Sequence, residues 1–101
     1  MPLPSARFVT GSDFEAPISK VVCVGRNYAE HAKELNNPVP TQPLLFIKPP
    51  SSVVRLEDPI MLPQGQEAVH YETELALLIG RPLRCAGETT AMEAIVGVGL
   101  A

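Results

Sequence analysis

Three short apolar runs, each followed by glycine or proline, most constrain what this chain can fold into. Runs rich in branched aliphatic residues favour strands, and glycine or proline directly afterwards ends them before a helix can form. The first two are predicted to be buried strands, and the third is the longest strand candidate. The runs and the residues that follow them are 20–24 before Gly25, 44–48 before Pro49, and 69–79 before Gly80.

The other segments carry helix signals and weaker strand signals. Residues 28–35 are good helix formers, and Pro38 closes this stretch because proline disfavours helical geometry in the residue before it. Thr90 and Glu93 have the spacing of a capping box, which predicts a short helix that gives way to a strand near Gly97. The expected class is β-rich, either α/β or α+β. Short strand pieces are also expected at 7–10, 53–54 and 60–62.

The composition is that of one small globular domain. The chain has 101 residues, of which 46% are hydrophobic and 19% charged, and its net charge of −3 argues against nucleic acid or an anionic membrane as the main partner. No signal peptide is visible, and no apolar run approaches the roughly 18 residues of a membrane span, which predicts a cytoplasmic protein. The run 95–101 is apolar to its last residue, so the sequence is expected to be the first part of a longer domain.

The two cysteines do not suggest a disulfide framework. Cys23 lies in the apolar run 21–24, where we expect a buried and inert thiol. Cys85 also has apolar neighbours and is far from Cys23 in the sequence.

His70, Glu72 and Glu74 occupy alternate positions of the third run, so a strand would place all three on one face. Two carboxylates on one face repel each other unless a positive charge lies between them, and a hard cation such as Mg²⁺ takes oxygen ligands. His70 would be a further ligand or would orient a carboxylate. The alternative is a solvated face on which both glutamates meet water. Because the following residues 75–79 are apolar, the two interpretations are evenly weighted.

Two further sets of polar residues are candidates for chemistry. His31 and Glu34 lie one helical turn apart, so the carboxylate can orient the imidazole to act on water. A solvated helix face explains the same spacing and is favoured on spacing alone. Arg26 and Lys48 are cations at the ends of two predicted strands, where each either binds a substrate carboxylate or extends into solvent.

Three segments occur in order along the chain: VCVGRNYAEH at 22–31, LFIKP at 45–49 and HYETEL at 70–75. Together they resemble the fumarylacetoacetate hydrolase family, from about residue 20 to residue 101. The nearest pattern is that of its small members, which include acylpyruvases, fumarylpyruvate hydrolases, oxaloacetate decarboxylases and 2-hydroxyhepta-2,4-diene-1,7-dioate isomerases. The resemblance implies a β-rich α+β fold, the N-terminal part of a mixed β-sandwich roll with a short lid helix. Residues 1–19 would be an extension or short strand, and 20–101 the N-terminal part of the catalytic domain.

The resemblance also implies roles for individual residues. Glu72 and Glu74 match two of the three carboxylate ligands that the family uses for Mg²⁺ or Mn²⁺. His31 and Glu34 match the dyad that activates water. The third ligand is an aspartate on the last predicted strand, and no aspartate is present in 97–101. The implied substrate-binding residues are Arg26, Tyr28, Lys48 and His70.

The activity implied first is metal-dependent hydrolysis of a C–C bond in a 2,4-diketo acid, of the acylpyruvate or fumarylpyruvate type, with release of pyruvate. In the mechanism that the resemblance implies, a bound cation would act as a Lewis acid on the 2-oxo acid, and activated water would attack the more distant carbonyl. The same enolate stabilisation serves decarboxylation or tautomerisation of oxaloacetate and isomerisation of the dienoate, which stay open as alternatives. An inactive fragment is another, given the missing aspartate. The resemblance further implies a homodimer and a role in catabolism of aromatic compounds.

Overall fold

The computed structural model describes residues 3–14, 16–25, 42–66 and 68–101. Strands outnumber helices in this part of the chain, so the predicted β-rich α+β class is confirmed. The predicted lid helix over 28–35 lies outside the described residues. Among the described residues, no helix is long and apolar enough to cross a membrane. The elements are β1 (Val21–Gly25), β2 (Leu44–Lys48), a 3₁₀ turn (Pro50–Ser52), β3 (Leu75–Ile79), α1 (Glu88–Glu93) and β4 (Ile95–Leu100).

The chain divides into two compact units. The first consists of Met1–Arg7 and Asp13–Asp58, and the second of Phe8–Ser12 and Pro59–Ala101. Among the described residues, each unit contains one antiparallel pair of strands.

The first unit contains the pair β1 and β2. Their ladder runs from Val21 opposite Lys48 to Gly25 opposite Leu44, as expected for two runs of branched aliphatic residues. β2 is exposed along its whole length, and β1 alternates between half-buried and exposed positions. The prediction of two strands is therefore confirmed. The prediction that they are buried is wrong, because no second layer covers β2 within the described residues. Cys23, expected to be buried, is half-buried and free.

The segment predicted to be a strand at 7–10 forms a single antiparallel bridge, between Arg7 and Asp13, and then turns. The amide of Gly11 donates to the Phe8 carbonyl at 2.9 Å, and the amide of Phe8 donates to the Ser12 carbonyl at 2.8 Å. Gly11 has a φ of 92°, a conformation that glycine adopts without the strain of a side chain. The turn follows the bridge directly, so the pairing does not extend along 8–10.

The second unit contains the pair β3 and β4, which confirms the predicted strand near Gly97. The ladder runs from Leu75 opposite Leu100 to Ile79 opposite Ile95, with one irregularity after Leu78. The third apolar run is shorter as a strand than predicted, because 69–74 lie outside β3. The pieces expected at 53–54 and 60–62 are not strands either. The Val53 amide, for example, donates to Pro50 in a local turn at 3.1 Å.

The helix between β3 and β4 begins before the predicted cap. α1 starts at Glu88, its N-cap is Gly87, and no side chain caps it. Thr90 lies inside the helix, so the prediction that it caps the helix is wrong. The acidic Glu88 in the first turn favours this earlier start, since it interacts well with the partial positive charge at a helix N-terminus.

The ends of this connection are held together by polar contacts. The Gly80 amide donates to the Ala94 carbonyl at 2.8 Å. Ala94 is 1% exposed and is the one fully buried hydrophobic residue in the described part of the chain. Arg81 Nη2 lies 3.5 Å from Glu93 Oε2 and donates to the Thr90 carbonyl at 3.5 Å. These contacts fix where β4 begins relative to the end of β3.

Candidate metal and substrate site

Glu74 is held in place by the strand opposite it. Its amide donates to the Ala101 carbonyl at 2.7 Å, and the Ala101 amide donates to the Glu74 carbonyl at 2.9 Å. Two residues that exchange both hydrogen bonds form a directly opposed pair of an antiparallel ladder. The ladder of β3 and β4 therefore extends one residue further, and the half-buried Glu74 belongs to it.

Apart from Leu78, small residues occupy the face of the sheet that carries Glu74. Strand alternation places Glu74, Ala76 and Leu78 on one face, because successive side chains point to opposite sides. The residues opposite them on β4 and at its end share that face. These opposing residues are Gly97, Gly99 and Ala101.

Phe8 packs against one end of this face. A Cβ atom on Gly97 would lie 3.0 Å from Phe8 Cε1, so the ring approaches the backbone closely there. A Cβ atom on Gly99, nearer to Glu74, would meet nothing within 4 Å. The surface beside the carboxylate therefore has room that the Phe8 end lacks.

The opposite face of the same sheet is made of large apolar side chains that remain exposed. The exposed fractions are 61% for Leu75, 51% for Leu77, 65% for Val98 and 75% for Leu100. The two faces thus differ sharply in side-chain size, and the carboxylate lies on the face with small neighbours.

Glu72 and His70 lie outside the ladder. Both are exposed and neither belongs to β3. The prediction that His70, Glu72 and Glu74 share the face of one strand assumed that a strand includes all three. That assumption is wrong, because the ladder of β3 and β4 reaches only to Glu74.

A cation at Glu74 would have few protein ligands in the described part of the chain. Among the residues that the structure describes, no three His, Cys, Asp or Glu side chains converge on one point. Mg²⁺ commonly binds through one or two carboxylates and completes its shell with water and substrate oxygens. The oxygens of Glu72 and Glu74 fit that requirement in number and chemical type.

Lys48 lies in the first unit, at the exposed end of β2. Directly after it, the Ser52 hydroxyl donates to the Pro49 carbonyl at 2.7 Å and the Ser52 amide donates to the same carbonyl at 3.0 Å. This turn ends β2 immediately after the lysine, as the two prolines at 49–50 predict. The exposed Lys48 ammonium is compatible with substrate binding and with simple extension into solvent.

The remaining predicted site residues lie outside the described residues. These are Arg26, Tyr28, His31 and Glu34. Sequence reasoning overlooked the small residues opposite Glu74, although a signal for them exists. Gly97, Gly99 and Ala101 alternate with larger residues, a pattern that gives a strand one face without bulk.

Comparison with known proteins connects this unit and the rest of the chain to one family. Residues 20–101 match the sequence model described as "Fumarylacetoacetate (FAA) hydrolase C-terminal". The chain is 48% identical over 91 residues to oxaloacetate tautomerase YcgM of Escherichia coli, which covers 90% of this chain and 42% of that protein. It is 48% identical over 83 residues to the mitochondrial oxaloacetate tautomerase FAHD1 of Arabidopsis thaliana, covering 82% of this chain and 37% of that protein.

Solved structures agree. A crystal structure from Oleispira antarctica, provisionally assigned as a fumarylacetoacetate isomerase/hydrolase, superposes with a TM-score of 0.85 at 46% identity, covering 94% of this chain and 42% of that chain. A crystal structure from Yersinia pestis, provisionally assigned to the fumarylacetoacetate hydrolase family, has a TM-score of 0.87 at 43% identity, and the match covers 95% of this chain and 44% of that chain. The chain spans about two-fifths of the length of the curated relatives it matches. It belongs to the fumarylacetoacetate hydrolase family.

Proposed function

We propose that the protein to which this chain belongs is a divalent-metal-dependent oxaloacetate tautomerase, which interconverts the keto and enol forms of oxaloacetate. Two relatives at 48% identity carry the name oxaloacetate tautomerase, and they match 90% and 82% of this chain. These names favour the tautomerase alternative over C–C hydrolysis of acylpyruvates, the activity that the sequence resemblance implies first. The structural observation that carries the proposal is the backbone-anchored Glu74 on a face with small neighbours.

The proposed cation ligands are Glu72 and Glu74. Both are oxygen donors, as Mg²⁺ and Mn²⁺ prefer, and two carboxylates leave coordination positions for water and for a substrate. When bound, a divalent cation supplies positive charge that lowers the energy of the enolate of a 2-oxo acid. The double hydrogen bond to Ala101 holds the Glu74 backbone in place before any ligand arrives, so less ordering is needed on binding.

Tautomerisation also requires groups that move a proton and hold the substrate. The reaction takes a proton from the C3 carbon of the keto form and places one on the C2 oxygen, with no net change in atoms or electrons. We assign the C3 proton transfer to His31, with Glu34 orienting its imidazole. Oxaloacetate carries two carboxylates, and the ammonium of Lys48 and the guanidinium of Arg26 are assigned to them.

The test is a spectrophotometric assay of enol-oxaloacetate ketonisation with and without Mg²⁺. We expect the wild-type protein to accelerate the disappearance of enol absorbance, and chelation of Mg²⁺ to abolish the acceleration. Glu72→Gln and Glu74→Gln keep side-chain shape and remove the charge, so each should lower the Mg²⁺-dependent rate by at least about tenfold. Glu88→Gln, on the exposed α1 helix, is the matched control and should leave the rate unchanged.

Two results would count against the proposal. Ketonisation that is equally fast after chelation of Mg²⁺, or equally fast in the Glu72→Gln and Glu74→Gln variants, contradicts the role of the carboxylates. Release of pyruvate from acylpyruvates without any effect on enol-oxaloacetate would instead support the hydrolase interpretation.

A further inference from the structure

The ladder of β3 and β4 contains one extra residue on the β4 side. Leu78 pairs with Gly97 and Ile79 pairs with Ile95, so Val96 lies between two paired residues without a partner of its own in the register. This is a β-bulge, in which two residues of one strand oppose one residue of the other.

The bulge decides which β4 side chains share the face of Glu74. Side chains alternate with a period of two, so a shift of one residue exchanges the two faces of a strand. If Val96 paired with Leu78, the rest of β4 would slide by one residue and Leu100 would oppose Glu74. With the bulge in place, Ala101 opposes Glu74 instead.

The same exchange applies along the rest of β4. In the observed register the residues on the face of Glu74 are Gly97, Gly99 and Ala101. In the slipped register they would be Val96, Val98 and Leu100. The slipped strand would therefore put branched side chains beside the carboxylate, where the bulged strand leaves room.

Val96 fits closely over a glycine. A Cβ atom on Gly80 would lie 2.5 Å from Val96 Cγ1 and 2.9 Å from Val96 Cγ2, closer than real atoms approach. Valine has few alternative rotamers, so its methyl groups cannot simply turn away. On the other side of the bulge, the Gly80 amide donates to the Ala94 carbonyl at 2.8 Å. The bulge in this position thus requires a residue without a side chain at 80.

We propose that Gly80 is a positioning residue of the candidate cation site: because it has no side chain, it accommodates the bulge at Val96 that keeps the small residues of β4 beside Glu74. The part played by a cation depends on the proposed function, whereas the register of β3 and β4 can be measured without a cation. Gly80 is assigned no contact with substrate or cation. It acts through Ala101 and Gly99.

The test is an NMR measurement of register in the full chain, combined with Mn²⁺ as a paramagnetic probe. Leu75 and Leu100 form a non-hydrogen-bonded pair, because the neighbouring pair of Glu74 and Ala101 exchanges both hydrogen bonds. Their Hα atoms should therefore give a strong cross-strand NOE. We expect Gly80→Ala to lose this NOE, and to require at least about tenfold more Mn²⁺ to broaden the Glu74 resonances.

Deletion of Val96 should restore the register of the Gly80→Ala variant. Without the extra residue, Ile95 and Gly97 can keep their partners in an ordinary ladder, so the deletion alone should retain the NOE between Leu75 and Leu100. In the Gly80→Ala background it should restore both the NOE and the response to Mn²⁺. Gly87→Ala is the control substitution, since a Cβ atom there meets nothing within 4 Å.

Several outcomes would overturn the proposal. Gly80→Ala molecules that are less stable but keep the NOE between Leu75 and Leu100 would show that Gly80 serves stability alone. If Gly80→Ala does not fold, the Gly80→Ala variant that also lacks Val96 decides: folding with this NOE supports the proposal, and failure to fold overturns it, because residue 80 then needs glycine for a reason other than the bulge. Absence of a Mn²⁺ response in the wild-type chain would refute the proposed cation site and leave the register to be decided by the NOEs.

Discussion

Glu72 and Glu74 belong to one short motif, yet the fold holds their backbones differently. Glu74 exchanges two hydrogen bonds with Ala101, while Glu72 lies two residues earlier, outside the ladder and exposed. A ligand whose backbone is already fixed loses less conformational freedom when it binds. We therefore regard Glu74 as the anchor of the proposed site.

Lys48 is the described residue that the proposal places on the substrate. Lys48→Met keeps the aliphatic chain and removes the charge. We expect the KM for oxaloacetate to rise about 10- to 100-fold, from the roughly 1.5–3 kcal/mol of a hydrogen bond to a charged group, with a smaller change in kcat. Steady-state kinetics measure both, and Lys20→Met, an exposed lysine just before β1, is the matched control. An unchanged KM would support the alternative in which Lys48 only extends into solvent.

Glu57 offers a residue-scale test of the loop that follows β2. A hydrogen bond from its own backbone amide and the nearby Arg55 guanidinium hold the pKa of Glu57 below its usual range. Arg55 Nε lies 3.5 Å from Glu57 Oε2. Arg55→Met should raise the pKa of Glu57, and an NMR titration of its side-chain carbons measures the change. An identical titration in both proteins would show that the ion pair does not form in solution.

The sign of the stability effect follows from the direction of that pKa shift. Because folding lowers the pKa, the unfolded chain binds a proton more readily than the folded chain does. The contribution to stability is therefore present above the unfolded pKa and is lost as the pH falls through the folded pKa. The effect is small, since both side chains are exposed and water screens their interaction.

At the scale of elements, the two central glycines of β4 are predicted to respond differently to one added methyl group. A Cβ atom on Gly97 would lie 3.0 Å from Phe8 Cε1, whereas one on Gly99 would meet nothing within 4 Å. Gly97→Ala should lower the free energy of unfolding by about 1–3 kcal/mol, the usual cost of overpacking. Gly99→Ala should leave it unchanged or raise it by up to about 1 kcal/mol, because alanine reduces the freedom of the unfolded chain.

Urea unfolding of the two variants measures this difference. Both substitutions add the same group to the same strand, so strand propensity cancels in the comparison. Equal stability of the two variants would contradict the close contact between Phe8 and Gly97.

The elements that could be predicted from sequence are those whose signal is local. β1 and β2 follow from branched aliphatic runs ended by glycine and proline, and the strand near Gly97 follows from the end of the short helix expected before it. The start of β3 within the third run could not be predicted, because where pairing begins depends on the opposing strand. For the same reason the bulge at Val96 is not visible in the sequence, since it depends on the space above Gly80.

The candidate site likewise combines features that the sequence predicts with features that depend on the opposing strand. The Glu72 and Glu74 motif could be read from the sequence, and family resemblance supplied a role for it. Which β4 residues stand beside Glu74 required the register. The helix cap was misassigned because Thr90 and Glu93 match a capping box by spacing, while backbone geometry and the charge of Glu88 place the helix start earlier.

On the scale of the whole molecule, the chain presents large apolar surfaces. In the described residues Ala94 alone is a fully buried hydrophobic residue, and both faces of β2 are exposed. The chain also spans about two-fifths of the length of its curated relatives. The activity is therefore proposed for the protein to which the chain belongs, and the cation site for residues that the chain itself contains.

The measurement that tests the central claim most directly is a calorimetric titration with Mn²⁺ of the wild-type protein, Glu74→Gln and the control Glu88→Gln. We predict that the wild type and Glu88→Gln bind Mn²⁺ with the same affinity and that Glu74→Gln binds it at least about tenfold more weakly. Equal affinity in all three proteins would contradict the claim that Glu74 is a ligand of a divalent cation.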